Sequence, residues 1–189
     1  AWCWNAGGTT VTDTTTGDLD ADIRANTSAG FSIVDFSNTT ANNVTVPHGL
    51  DSAPKMIIIK SYSDAGSWSV YAEPNGATKR MRLQTNEEAQ TNSNFMNDTA
   101  PTADVFTIGH TDYWGSNRDF IAYCNIIETG CEPAFLLIKR TNTAGYDWNI
   151  FDNKRDTINP NEKYLEANTA DTEATGRGVN FLSNGFELF

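Results

Sequence analysis

Only two histidines, His48 and His110, are available as general bases. A hydrolytic triad would need one of them beside a nucleophilic serine or cysteine and a carboxylate. The local signatures of such chemistry are missing: there is no Gly-x-Ser-x-Gly elbow, no His-Glu-x-x-His pair and no glycine-rich phosphate loop. His48 lies in Pro47-His48-Gly49-Leu50 and reads as a turn residue whose ring bonds nearby backbone. Asp18, Asp20 and Asp22 have the alternate spacing that opens a calcium loop, but Ile23 and Ala29 stand where that loop needs its glycine and glutamate. On a strand the three carboxylates would share one face, and solvated edge charges account for them more simply than a cation. Glu87-Glu88, or Asp152 with Asp156, could suggest the paired carboxyls of a glycosidase. In a chain with 24 acidic residues such pairs arise by composition. No catalytic, cofactor-binding or metal-ligating residue is expected, and the chain does not read as an enzyme.

Aromatic side chains offer the other chemistry, stacking on a ligand. Trp68 and Trp148, like Tyr71 and Phe151, occupy matching places in two similar stretches, which favours core packing. Tyr113-Trp114-Gly115-Ser116-Asn117-Arg118 is different: it is polar, loop-like and without a counterpart. Tyr113, Trp114 and Asn117 are therefore the expected ligand or partner contacts, as an aromatic pair exposed on a loop.

The elements that would hold these residues follow from composition and repetition. The chain has 189 residues, 39% of them hydrophobic, with 24 Thr and 20 Asn. Thr favours strands and Asn favours turns, so short strands joined by many loops are expected. A net charge of −11 with only short basic clusters argues against nucleic-acid binding. No apolar run approaches the ~18 residues of a membrane span, so no membrane insertion is expected. The opening Ala1-Trp2-Cys3-Trp4-Asn5 has neither the basic start nor the apolar stretch of a signal peptide, and reads as part of something longer. Three cysteines, Cys3, Cys124 and Cys131, suit buried thiols better than a disulfide framework.

Self-similarity organises the whole chain. Ala53-Pro54-Lys55-Met56-Ile57-Ile58-Ile59-Lys60 resembles Glu132-Pro133-Ala134-Phe135-Leu136-Leu137-Ile138-Lys139, at an offset of 133 − 54 = 79. Gly66 and Gly145 keep that offset, and one insertion later Trp68-Ser69-Val70-Tyr71 matches Trp148-Asn149-Ile150-Phe151. Weaker matches join Arg82–Asn86 to Tyr164–Asn168 and Val105–Ile108 to Gly185–Leu188. Ala1–Asn5 echoes Ala122-Tyr123-Cys124-Asn125. The expected layout is the tail of a preceding copy plus a hairpin turning at Thr16-Gly17-Asp18 (1–25), a complete copy (26–128), and a second copy lacking its opening strands (129–189). The expected fold is all-β: antiparallel β-sandwich repeats, jelly-roll or lectin-like. Met56–Ile59 is predicted to be a central strand buried on both faces. Glu87–Asn97 is predicted to be a loop or a short helix.

Gly30-Phe31-Ser32-Ile33-Val34, His48-Gly49-Leu50, Ala53–Ile58, Trp68-x-Val70-Tyr71 and Phe120–Cys124 together resemble the repeat module of virion proteins from marine, cyanophage-like tailed phages. The second copy is similar through Pro133–Arg140, Trp148–Asp156 and Phe181–Phe186, although Cys131 replaces an expected aromatic. The resemblance implies a structural protein on the virion surface, outside the cell, as tail fibre, appendage or capsid-surface component. Its implied partners are copies of itself in a homo-oligomer, other virion proteins and a host surface glycan. A carbohydrate-binding module or lectin is the alternative from another class.

Overall fold

The computed structural model describes residues 6–126 and 133–189. Two compact units are present: residues 1–82 with 89–127, and residues 83–88 with 128–189.

The first unit contains β1 (Val11–Asp13), β2 (Ala21–Asn26), β3 (Phe31–Ser37), β4 (Val44–Pro47), β5 (Met56–Ser61), β6 (Ser69–Ala72), β7 (Lys79–Arg82), β8 (Gln90–Thr91), α1 (Ser93–Met96), β9 (Val105–Ile108), α2 (Thr111–Trp114) and β10 (Asp119–Asn125). Eight of the strands form one antiparallel sheet in the order β1-β2-β3-β10-β5-β6-β7-β8, while β4 and β9 pair separately. The ribbon made of β3 and β10 continues into the ribbon made of β4 and β9. Its ladder runs on from Ser37↔Asp119 through Asn38 N–H to Arg118 O (2.9 Å), and resumes at Asn43 N–H to Gly109 O (2.9 Å) and Val44↔Ile108. One antiparallel ribbon thus folds over to supply both layers, which is how a jelly roll closes its core. The all-β sandwich class is the one the composition predicts.

Strand alternation builds the core from one face of the sheet. Ile23, Val34, Phe36, Phe120, Ala122, Ile57 and Ile59 are buried there, and meet Val46, Phe106, Ile108, Phe95, Met96 and Trp114 from the second layer. Met56–Ile59 is central, but only Ile57 and Ile59 are fully buried; Met56 and Ile58 are half-buried. The expectation of burial on both faces is corrected, because the helices and β4–β9 cover a single face. Glu87–Asn97 holds both a strand, β8, and the one-turn helix α1.

Local chemistry explains the sharp reversals. Between β2 and β3, Asn26 accepts from Ala29 N–H (3.0 Å), and Gly30 at φ +63° turns the chain back. β2 pairs residue for residue with β3, so the hairpin of residues 11–26 belongs to the same sheet as the copy that follows it. The Asp18-Asp20-Asp22 strand face does not form. Asp18 lies before β2, where it accepts from Thr45 N–H (2.9 Å) and Thr45 Oγ1 (2.8 Å). Those two bonds, the hydroxyl's first, hold its pKa below the ordinary value.

The second unit contains β11 (Phe135–Ile138), β12 (Asn149–Asp152), β13 (Leu165–Glu166), β14 (Val179–Leu182) and β15 (Gly185–Leu188), as a three-stranded sheet and a hairpin. Its core joins Phe151, Tyr164, Val179 and Phe181, with Leu136 and Ile138 partly buried against them. The register of β11 on β12 repeats that of β5 on β6. Met56↔Ala72 and Ile58↔Val70 answer Phe135↔Asp152 and Leu137↔Ile150. The next strand corrects the sequence match. Arg82 pairs with Ser69 and Glu166 pairs with Asn149, so Arg82 corresponds to Glu166 rather than to Tyr164. Cys124 is a buried free thiol, which burial pushes up to about 12 and the Ser32 hydroxyl opposes. Cys3, Cys131 and the junction between Glu128 and Cys131 lie outside the described residues.

A polar cleft beside a buried tryptophan

α2 is set in place from far along the chain. Asn42 Oδ1 accepts from Thr111 N–H (2.8 Å), and His110 Nδ1 accepts from Asp112 N–H (3.1 Å). These satisfy two donors that a helix start leaves open. Asn38, only 4% exposed, then organises the following loop. It donates to Gly115 O (2.7 Å) and accepts from Arg118 N–H (2.9 Å). Asn117 turns the corner at φ +53°, exposed.

The expected exposed aromatic pair is corrected here. Trp114 is 4% exposed, stacked on Phe95 at 5.5 Å and edge-on to Phe120 at 5.6 Å. Its Nε1 donates to Phe95 O (2.7 Å). Trp114 is a core residue because α2 directs it between the layers, where its area and its single donor are both satisfied. Tyr113 is half-buried, and its hydroxyl shares a 2.8 Å hydrogen bond with Ser69 Oγ. Of the three expected contact residues, Tyr113 lines a cleft, Trp114 forms its floor, and Asn117 is exposed on the adjoining loop.

The cleft measures about 290 Å³, and Asp64, Ser69, Arg82, Asp112, Tyr113 and Arg118 contribute to its walls. Arg118 forms an ion pair with Asp64 and donates to Trp114 O (3.3 Å). The Ser61 hydroxyl first, opposed by burial and then helped by Gly66 N–H and the charges of Arg118 and Lys60, holds the Asp64 carboxyl below its usual pKa. The cleft therefore presents a fixed carboxylate, a guanidinium and hydroxyls around one partly apolar ring. That set suits a ligand rich in hydroxyl groups. Sequence reasoning missed Asn38, Asp64 and Ser69; the only available signal was the Asp64-x-Gly66 turn.

The second unit has a wider depression of about 540 Å³ lined by Tyr164, Glu166, Asp171 and Glu173. Two of its carboxylates are engaged: Glu173 meets Arg155 at 3.3 Å, and Glu166 meets Arg177 at 3.6 Å. Asp152 and Asp156 form no glycosidase pair, because both cap local backbone. Among the described residues no group of three His, Cys, Asp or Glu could hold a metal. The matching tryptophans also diverge, Trp148 being 2% and Trp68 36% exposed. No helix among the described residues is long and apolar enough to cross a membrane.

His48 is fully buried and bonds only backbone: Nδ1 accepts from Leu50 N–H (3.1 Å), and Nε2 meets Thr102 O at 3.2 Å. Acceptance at Nδ1 requires the neutral ring, with the proton on Nε2 donated to the Thr102 carbonyl. Burial lowers its pKa from 6.5, against the Thr102 carbonyl and the Asp104 charge. Unfolded chain then binds a proton near pH 6.5 that folded chain refuses. Stability of this unit should be full above that pH and decline below it, by at most about 1.4 kcal/mol per pH unit. Urea midpoints at pH 7.5 and 5.5 would show the decline, and His48→Asn should flatten it. An equal decline in that variant would exclude His48 as its source.

A family described as Domain of unknown function (DUF7483) has a model that matches residues 1–126 and again residues 125–188. The chain belongs to this family. No curated protein and no solved structure matches it. The two DUF7483 matches meet at residues 125–126, next to the end of the first compact unit at Ile127. The cleft lies wholly in the first match.

Proposed function

We propose that this chain is a structural component of a phage particle, in a tail fibre, appendage or capsid surface, whose repeated β modules assemble with copies of themselves and present loops to the host. One observation carries the reading. The two modules share the strand register of β5–β6 and β11–β12, while the segments joining their strands differ in length, so that Arg82 answers Glu166 at an offset of 84 instead of 79. Repeating a scaffold and varying its loops is the pattern of a presenting array. Immunogold labelling of purified virions with antibodies to this chain should mark the tail or the surface. Particles that carry none of it would overturn the proposal.

A second reading, a glycan-binding module, is favoured by the cleft itself. On a glycan array, Arg118→Ala and Tyr113→Phe should each weaken binding to the preferred sugar by about tenfold, roughly the worth of one lost polar contact to a charged group. Binding that persists unchanged in both variants would exclude the cleft.

A further inference from the structure

We propose that the cleft selects an acidic sugar, and that the Nε and Nη2 donors of Arg118 receive its carboxylate. The inference rests on the glycan-binding reading of the cleft and names the ligand class within it.

Arg118 is held as a fixed fork. A Cβ at Gly115 would run into its guanidinium, so the glycine lets the planar group lie against the backbone. Asn38 fixes the main chain of Arg118 at both polar atoms. Its Oδ1 accepts from Arg118 N–H (2.9 Å), and its own backbone N–H donates to Arg118 O (2.9 Å). At the tip, Nη1 carries every polar contact of the side chain among the described residues, to Asp64 and to Trp114 O at 3.3 Å. Nε and Nη2 are left, on a side chain 39% exposed in the cleft wall. These donors lie side by side in the guanidinium plane and match the two oxygens of a carboxylate. A charged acceptor makes a bond roughly twice as strong as a neutral hydroxyl does.

Asp64 does not compete for that edge. Its Oδ1 accepts from Gly66 N–H (3.0 Å), and its Oδ2 stays on Nη1. Asp112, the other carboxylate of the cleft, lies against His110 Nδ1 at 3.2 Å and is 75% exposed, so solvent screens its repulsion. Around the fork stand the parts a sugar ring needs. The hydroxyls of Tyr113 and Ser69 meet at 2.8 Å, and the buried ring of Trp114 forms the floor. At about 290 Å³ the cleft admits a single ring with its carboxyl group.

The carboxylate can come from a hexuronate or a sialate. A glycan array carrying both, beside neutral glycans of the same linkage, separates the two sources. The bound glycans should all carry a carboxylate, and methyl esterification, which keeps every hydroxyl, should weaken each by about tenfold. That comparison alters the ligand alone and does not depend on a variant folding. Arg118→Lys keeps the charge but not the fork, and should bring the free acid down towards the affinity of its ester. Equal binding of acid and ester, or a preference for neutral glycans, would overturn this inference and leave the glycan reading standing. An array with no bound glycan would overturn both.

Discussion

Trp114→Ala is expected to destabilise the first unit by about 3–5 kcal/mol, as for other buried Trp truncations. The ring is sandwiched between Phe95 and Phe120, and little around it can collapse into the space, because Phe95 and Phe120 are themselves 0% and 1% exposed. Removal also strips Phe95 O of its indole donor. Trp114→Phe separates the two effects, keeping most of the ring and losing only the N–H, for about 1–3 kcal/mol. Tyr113→Phe removes one hydroxyl at the cleft and should change stability by about 1 kcal/mol. Hydrogen exchange read peptide by peptide would assign the loss to strands of the first unit. Wild-type protection in Trp114→Ala would mean that the side chain is not packed as described. The comparison matters for function, because loss of a ligand in Trp114→Ala would report a collapsed floor, whereas loss in Tyr113→Phe would report a contact.

In the second unit the largest expected effect belongs to Asp152. Its side chain is 2% exposed at the end of β12, where Oδ1 accepts from Lys154 N–H (3.0 Å) and Arg155 N–H (2.8 Å) and Oδ2 takes the Arg155 guanidinium. Burial alone would raise its pKa; the Arg155 side chain and the two backbone donors outweigh burial and hold it below 3.8. Asp152→Ala removes all three acceptor contacts, and should destabilise this unit by about 2–4 kcal/mol. The lower half of that range allows for Arg155 keeping Glu173 and Ile150 O as partners. Asp152→Asn keeps a carbonyl for the turn and should lose less. Because the folded carboxyl has the depressed pKa, its contribution is present above pH 3.8 and is lost as the pH falls through and below that value. Proteolysis of the turn at Asn153–Arg155 would follow the change, and equal cleavage rates in wild type and Asp152→Ala would contradict it.

Much of the scaffold was legible, because its strands announce themselves locally. A proline, four apolar residues and a lysine mark β5 and β11 alike, and the glycine turn leads each time to the partner strand. The repeat offset failed where turns absorb insertions: Arg82 and Glu166 differ by 84 positions, not 82, and only cross-strand pairing reveals it. The site was less legible for the same physical reason. Whether Trp114 faces solvent or core depends on the cap from Asn42, 69 residues before Thr111, and on Phe95 lying across the layer. A polar neighbourhood in sequence gives no sign of either. Asp18 misled in the opposite way, since alternation suggested a strand face while Thr45, 27 residues on, had already captured the carboxylate.

The place of β10 in its sheet has a mechanical consequence. This strand comes last in the first unit, yet it lies in the middle of the eight, paired over seven positions with β3 and six with β5. Hydrogen bonds of an antiparallel ladder run perpendicular to the strands. Tension applied to the chain beyond Ile126 therefore pulls β10 along its own axis, loading both ladders in shear so that their bonds must yield together. An edge strand such as β1, pulled away sideways, would peel one bond at a time. The chain thus leaves the first unit through its most strongly clamped strand, paired on both sides.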